Sequence, residues 1–378
     1  MAATQGRKRP FSFLPGIWFL HGVASGDCGA DSALHRERSR KSSCMRNPVL
    51  IELTRGSLLE SAHAGAIAVV RVDGKAVLTL GDTAQPVFPR SAIKPLQAVP
   101  LVQSGAADRW GFGAPEIALA AASHSGTARH ASLAASMLAR AGLGPAALAC
   151  GVHDPLDHAT ARALIRSGAA PTALHHNCSG KHAGMLATAV HMGEDAATYW
   201  RPEHPVQQRI ARVLGELGRC SLSGDVCGID GCSVPNWAMP LEALAGAFAR
   251  FVSGDGLERE RAAACRRIAE ACWAHPDLVA GPGRLDTAVM TRLPARVLTK
   301  GGAEGVYCGA LRELGLGFAL KIDDGAKRAA DAVVAALLAR FHPEITDLAP
   351  PAALTNWRGI EVGRLQAAPA LQQALGSL

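Results

Sequence analysis

The sequence predicts an α+β fold, an antiparallel sheet packed with helices plus a helical region, and three features predict it. β-branched and apolar segments come first, amphipathic helical periodicity fills the middle, and strand-like segments return around one long helix toward the C-terminus. With 378 residues the chain can bury a large core. Its composition, rich in Leu, Ala, Val and Gly and poor in aromatics, is that of a globular enzyme.

Residues 1–44 stand apart. They begin with Arg7, Lys8 and Arg9, pass through a short apolar patch broken by Pro15, and continue in an arginine-rich stretch. That order of charges imitates a signal peptide, but the patch is short and the basic segment after it opposes export. The expectation is a disordered extension or a mis-assigned start, with the folded domain over residues 45–378. The net charge of +7 is scattered, apart from a run around Arg36 to Lys41, which argues against a nucleic-acid surface. No apolar run reaches membrane-span length. Of the 10 cysteines, Cys150, Cys220, Cys265 and Cys272 read as small core residues, and a reducing, cytoplasmic setting fits them.

The elements follow in order. Residues 49–54 and 67–72 read as strands, and Asp73-Gly74 turns the chain into a strand over 76–80. Next comes Arg90-Ser91-Ala92-Ile93-Lys94-Pro95, a candidate nucleophile and base. A serine hydroxyl needs a neighbour to take its proton, and a lysine can do so once burial or nearby positive charge keeps it neutral. At a spacing of three on a helix, Ser91 and Lys94 share one face. Helical periodicity covers 96–102, 115–122 and 128–141, with the polar loop Ser123-His124-Ser125-Gly126 between the last two. His175 to His182 precedes a helix over 183–191, and Cys227 to Pro235 follows an amphipathic helix over 203–217. These two glycine-bearing loops hold three cysteines and three histidines, a set suited either to zinc or to a thiol-lined loop. Helices over 241–252 and 258–274 lead to a strand over 296–299 that ends in Lys300-Gly301-Gly302. A strand over 315–322, a helix over 326–341 and a strand over 360–365 complete the chain.

In that order, S-x-x-K, a serine loop and a Lys-Gly-Gly strand end resemble the signatures of serine β-lactamases and penicillin-binding proteins, with altered second and third motifs. The full set matches another family more closely. R-S-A-I-K-P, S-H-S-G, H-N-C-S-G-K-H, C-G-I-D-G-C-S-V-P and T-K-G-G-A-E-G together resemble the rhizobial-type asparaginase II family, over residue 45 to the C-terminus.

That resemblance implies a serine β-lactamase/glutaminase-like fold, a homodimer, and hydrolysis of L-asparagine to L-aspartate and ammonia. It implies two Ser-Lys pairs, Ser91 with Lys94 and Ser123 with Lys300. It also implies a zinc ion (Zn2+) held by Cys178, Lys181 and Cys232, with Asp230 beside it. Asp230 is the candidate partner for the substrate's α-ammonium, while no residue stands out for the α-carboxylate. His124, His182 and Cys227 are candidates for supporting the metal ligands. Two competitors are a peptidoglycan or β-lactam hydrolase and a zinc-dependent binding protein whose Ser-Lys pairs are incidental.

Overall fold

The computed structural model describes residues 47–378, and the extension expected over residues 1–44 lies outside the described residues. Its centre is an eight-stranded antiparallel sheet. In chain order the strands are β1 (Val49–Arg55), β2 (Leu58–Arg71), β3 (Ala76–Leu80), β4 (Val297–Gly301), β5 (Val306–Leu311), β6 (Leu316–Ile322), β7 (Ala352–Thr355) and β8 (Glu361–Ala367). Across the sheet they run β7-β8-β1-β2-β6-β5-β4, with β3 also paired to β2. The 14-residue β2 joins the two halves, pairing β1 up to Ala64 and β6 from Gly65 onward.

Alternation along the strands explains the layers. Ile67 and Val69 of β2, with Phe318, Leu320 and Ile322 of β6, share one apolar cluster with Val333, Leu337 and Leu338. Those last three lie on helix Lys327–Phe341. Ala66, Ala68, Val70 and Ala319 point to the other face, where side chains are small. There helix Leu241–Ser253 lies close enough that a Cβ at Gly317 would overlap the Ala245 carbonyl. The remaining core on that side comes from helices Ala114–Ala120, Ala128–Arg140, Ser179–His191, Pro205–Gly218 and Arg259–Ala274. Helices thus cover both faces of an antiparallel sheet, the α+β architecture the sequence predicts. Among the described residues no helix is long and apolar enough to cross a membrane.

Several boundaries differ from expectation. β2 begins at Leu58 rather than 67, because the turn at Gly56 (φ +56°) pairs an alanine- and serine-rich stretch with β1. The helix expected over 96–102 is two short ones, Lys94–Gln97 and Val99–Gln103, each with a proline in its first turn. β5, β7 and helices His158–Ser167 and Leu285–Arg292 lie outside the elements expected from the sequence.

Candidate active site

The Ser91 segment is a tight turn, not a regular helix start. Arg90–Ile93 forms a 3₁₀ turn that feeds helix Lys94–Gln97, and Arg90 adopts φ +52°, a left-handed conformation that costs a non-glycine residue energy. The end of β4 braces this turn. A Cβ at Gly302 would lie 2.8 Å from the Pro89 carbonyl oxygen and 3.2 Å from the Ala92 nitrogen, so only glycine lets the two backbones meet. Lys94 is fully buried, and its Nζ donates to Cys178 Sγ at 3.0 Å and to the Asn177 carbonyl at 3.3 Å. Ser91 Oγ is not among its hydrogen-bond partners, so the spacing of three places Ser91 and Lys94 together without pairing them.

The second pair is formed directly. Lys300 lies on β4, fully buried, with Nζ 2.9 Å from Ser123 Oγ and 2.7 Å from the Gly301 carbonyl. Ser123 is itself buried, its amide anchored on the Val279 carbonyl. Burial pulls the Lys300 amine down to about 7; Asp286 opposes that shift, while Lys94 and Arg284 add to it. Asp286 is held by the Gly301 amide at 3.1 Å and by the Tyr307 hydroxyl at 2.5 Å. Sequence reading missed Asp286 and Tyr307, since neither sits in a recognisable motif.

A buried thiol cluster adjoins Lys94. Cys178 precedes helix Ser179–His191, which carries Lys181 in its first turn, and Lys181 Nζ donates to Cys232 Sγ at 3.0 Å. Cys232, with Lys94 and Lys181, holds Cys178 well below the usual thiol range against the pull of burial. Cys178, together with burial, pushes Cys232 up. Burial alone would lower Lys181, yet Cys232, Cys178 and Asp230 raise it. Asp230 accepts from Arg90 Nε at 2.6 Å and from the Cys232 thiol at 3.4 Å. Burial opposes its charge, but Lys181 and Arg90 keep its carboxyl below the ordinary value.

The histidines mainly organise this cluster. His124 is buried and held neutral by that burial; its Nδ1 accepts from the Gly126 amide at 3.1 Å, so Nε2 donates to Ser179 Oγ at 2.9 Å. That bond ties the Ser123 loop to the helix bearing Lys181. His182 Nδ1 meets the Tyr199 hydroxyl at 2.6 Å. Its Nε2 is buried without a hydrogen-bond partner, on the side of the ring that faces Cys232. Cys227 stays outside the cluster, on the short strand Cys227–Ile229 paired with Pro235–Trp237.

Among the described residues no three His, Cys, Asp or Glu side chains are grouped to hold a metal ion. The expected set differs in having a lysine as its third member. Two cysteine sulfurs, each accepting from a lysine amine, and a buried imidazole nitrogen without a hydrogen-bond partner form a donor set whose chemistry would suit a borderline-soft cation such as zinc. A cavity of about 520 Å³ meets this region at Arg90; Phe88, Ile229, Asn236 and Lys321 also line it, and neither the Ser-Lys residues nor the thiol cluster do.

A search of curated proteins returns no match. Among solved structures, Mglu, crystallised in its native form in 4.3 M NaCl, is 14% identical over 70% of this chain and 57% of its own, with a TM-score of 0.38. A β-lactamase from Mycobacterium bovis is 15% identical over 75% of this chain and 92% of its own, with a TM-score of 0.35. Neither likeness bears on function. The sequence pattern does: the model of the L-asparaginase II family matches residues 51–367, most of the chain, and the chain belongs to that family.

Proposed function

We propose that the protein is an L-asparaginase, an amidohydrolase that converts L-asparagine to L-aspartate and ammonia. The observation that carries the reading is the buried Ser123–Lys300 hydrogen bond, with an amine poised near neutrality, in a member of this family. Ser91 Oγ attacks the side-chain amide carbon, and its proton passes to the lysines, directly to Lys94 or through Ser123 to Lys300. The C–N bond breaks, that proton goes to the leaving nitrogen, and ammonia departs. Water then attacks the β-aspartyl ester, returning a proton to Ser91 as aspartate leaves. Asp230, already charged, is suited to the α-ammonium.

Cys178, Lys181 and Cys232 are the residues that would hold zinc, after Lys181 gives up its proton. The bound ion would supply fixed positive charge and orient the Cys178 and Cys232 segments. Cys178→Ala should therefore lower zinc content from about one per chain to a small fraction, read by elemental analysis; unchanged zinc would remove Cys178 from the set. Homodimer formation belongs to the same proposal and is checked by light scattering.

The direct test measures ammonia release from L-asparagine and, separately, L-glutamine by purified protein, with zinc recorded on the same sample. Rapid asparagine turnover is the expected result. Folded, zinc-loaded protein that releases no ammonia would leave the zinc-dependent binding protein as the reading to pursue.

A further inference from the structure

We propose that the protein has a second ligand site, separate from the Ser-Lys pairs, that binds a small organic carboxylate with an aliphatic body between Arg284 and Arg328. The site is a cavity of about 540 Å³, lined by neither the Ser-Lys residues nor the thiol cluster. The proposal stands whether or not the protein hydrolyses asparagine.

Two helices and the β7–β8 end of the sheet build this cavity. Leu285, Ala288 and Arg292 follow one face of helix Leu285–Arg292, and Arg328, Asp331 and Ala332 share one face of helix Lys327–Phe341. Leu348, just before β7, and Leu365 of β8 complete the apolar part. Ala332 and Leu365 belong to the apolar cluster under the sheet, and Leu285 and Leu348 pack against it. The cavity wall therefore offers an aliphatic group a place out of water.

Three arginines line the cavity, and they differ in what they already hold. Arg292 is paired with Asp347 at 2.5 Å. Arg328 is held from behind by buried His63, whose Nδ1 meets Asp324 Oδ2 at 2.6 Å while its Nε2 accepts from Arg328 Nε at 3.2 Å. The terminal nitrogens of Arg328 have no hydrogen-bond partner among the described residues. Arg284 makes no side-chain hydrogen bond or ion pair among the described residues, and its Nε is buried without a partner. Asp331, the carboxylate that lines the cavity, is already engaged by Lys327. Two guanidiniums thus line an apolar-walled cavity with charge that no neighbouring carboxylate takes up. Planar N–H forks of this kind match a carboxylate, and the leucines select one that carries hydrocarbon. The arginine-rich extension of residues 1–44 carries like charge and is a poor occupant.

The plainer alternative is that both arginines are solvated surface charge. Any small anion would then bind equally weakly, and the leucines would not matter. Calorimetry on the full chain at fixed ionic strength separates the two, with hexanoate, acetate, inorganic phosphate and hexylammonium as probes. Hexanoate should bind saturably with a Kd of about 1 mM or tighter, acetate and phosphate at least about 10-fold more weakly, and hexylammonium not measurably. Arg284→Gln and Arg328→Gln should each weaken hexanoate about 10- to 100-fold, the scale of a lost charge-assisted contact. Arg266→Gln, which alters an exposed arginine of helix Arg259–Ala274 outside the cavity, should bind as the wild type does. Arg328 is exposed, so Arg328→Gln carries the test if Arg284→Gln does not fold. Absence of saturable hexanoate binding, equal affinity for phosphate or hexylammonium, or full affinity in the arginine variants would each overturn the site.

Discussion

Lys300→Met is expected to lower kcat/KM for L-asparagine by about 10³-fold or more, the scale of losing a positioned base. In the wild type this rate should rise as pH increases through about 7, because the amine must be neutral to accept a proton and burial sets its midpoint there. The residual activity of the variant should lack that rising limb. A limb that survives in Lys300→Met would assign it to another group. The same burial has a stability cost with a defined sign. Lys300 is lowered on folding, so above about 7 and up to the ordinary lysine range the unfolded chain binds the extra proton, and stability grows with pH across that window. Below it the folded protein carries the full cost of a buried ammonium. Lys300→Met should therefore melt at higher temperature than the wild type at pH 6, with the gap closing as pH rises.

Ser91→Ala should reduce ammonia release by about 10⁴-fold and abolish any covalent intermediate, since no other atom is assigned to the ester. Ser123→Ala should cost less, about 10²- to 10³-fold, because a water can take the place of a relaying hydroxyl beside Lys300. Rapid quenching and peptide mass spectrometry distinguish the serines: the aspartyl adduct is expected on the Ser91 peptide and should persist in Ser123→Ala. An adduct on the Ser123 peptide would exchange their roles. The outcome matters because Lys94, the nearer base in sequence, points its amine at the Cys178 sulfur.

Much of this was legible in the chain. The order of strand-like and helical patterns gave the layers, since periodicity reports which faces are buried. Cys178, Lys181, Cys232 and Asp230 lie in glycine-bearing loops whose residue types advertise chemistry, and the fold brings all four together. What was hidden was pairing at a distance. Spacing placed Lys94 opposite Ser91, but the sulfur that takes its hydrogen bond comes from 84 residues away. Arg90 stood in plain view beside Ser91, yet its pairing with Asp230, 140 residues on, is set by tertiary contact. β5 escaped notice because Gly309 and Ala310 dilute its strand signal, and its place between β4 and β6 is fixed by partners on both sides.

The contact of Gly302 with the Ser91 turn has a consequence for how the protein is born. A chain leaving the ribosome presents Ser91, Lys94, Ser123 and both candidate metal-binding cysteines long before β4 exists. Until that strand emerges and closes against Pro89, the nascent polypeptide lacks both the Lys300 amine and the brace for the Ser91 turn. On the proposed reading, order of synthesis withholds the assembled Ser-Lys site until β4 has been made, late in the chain.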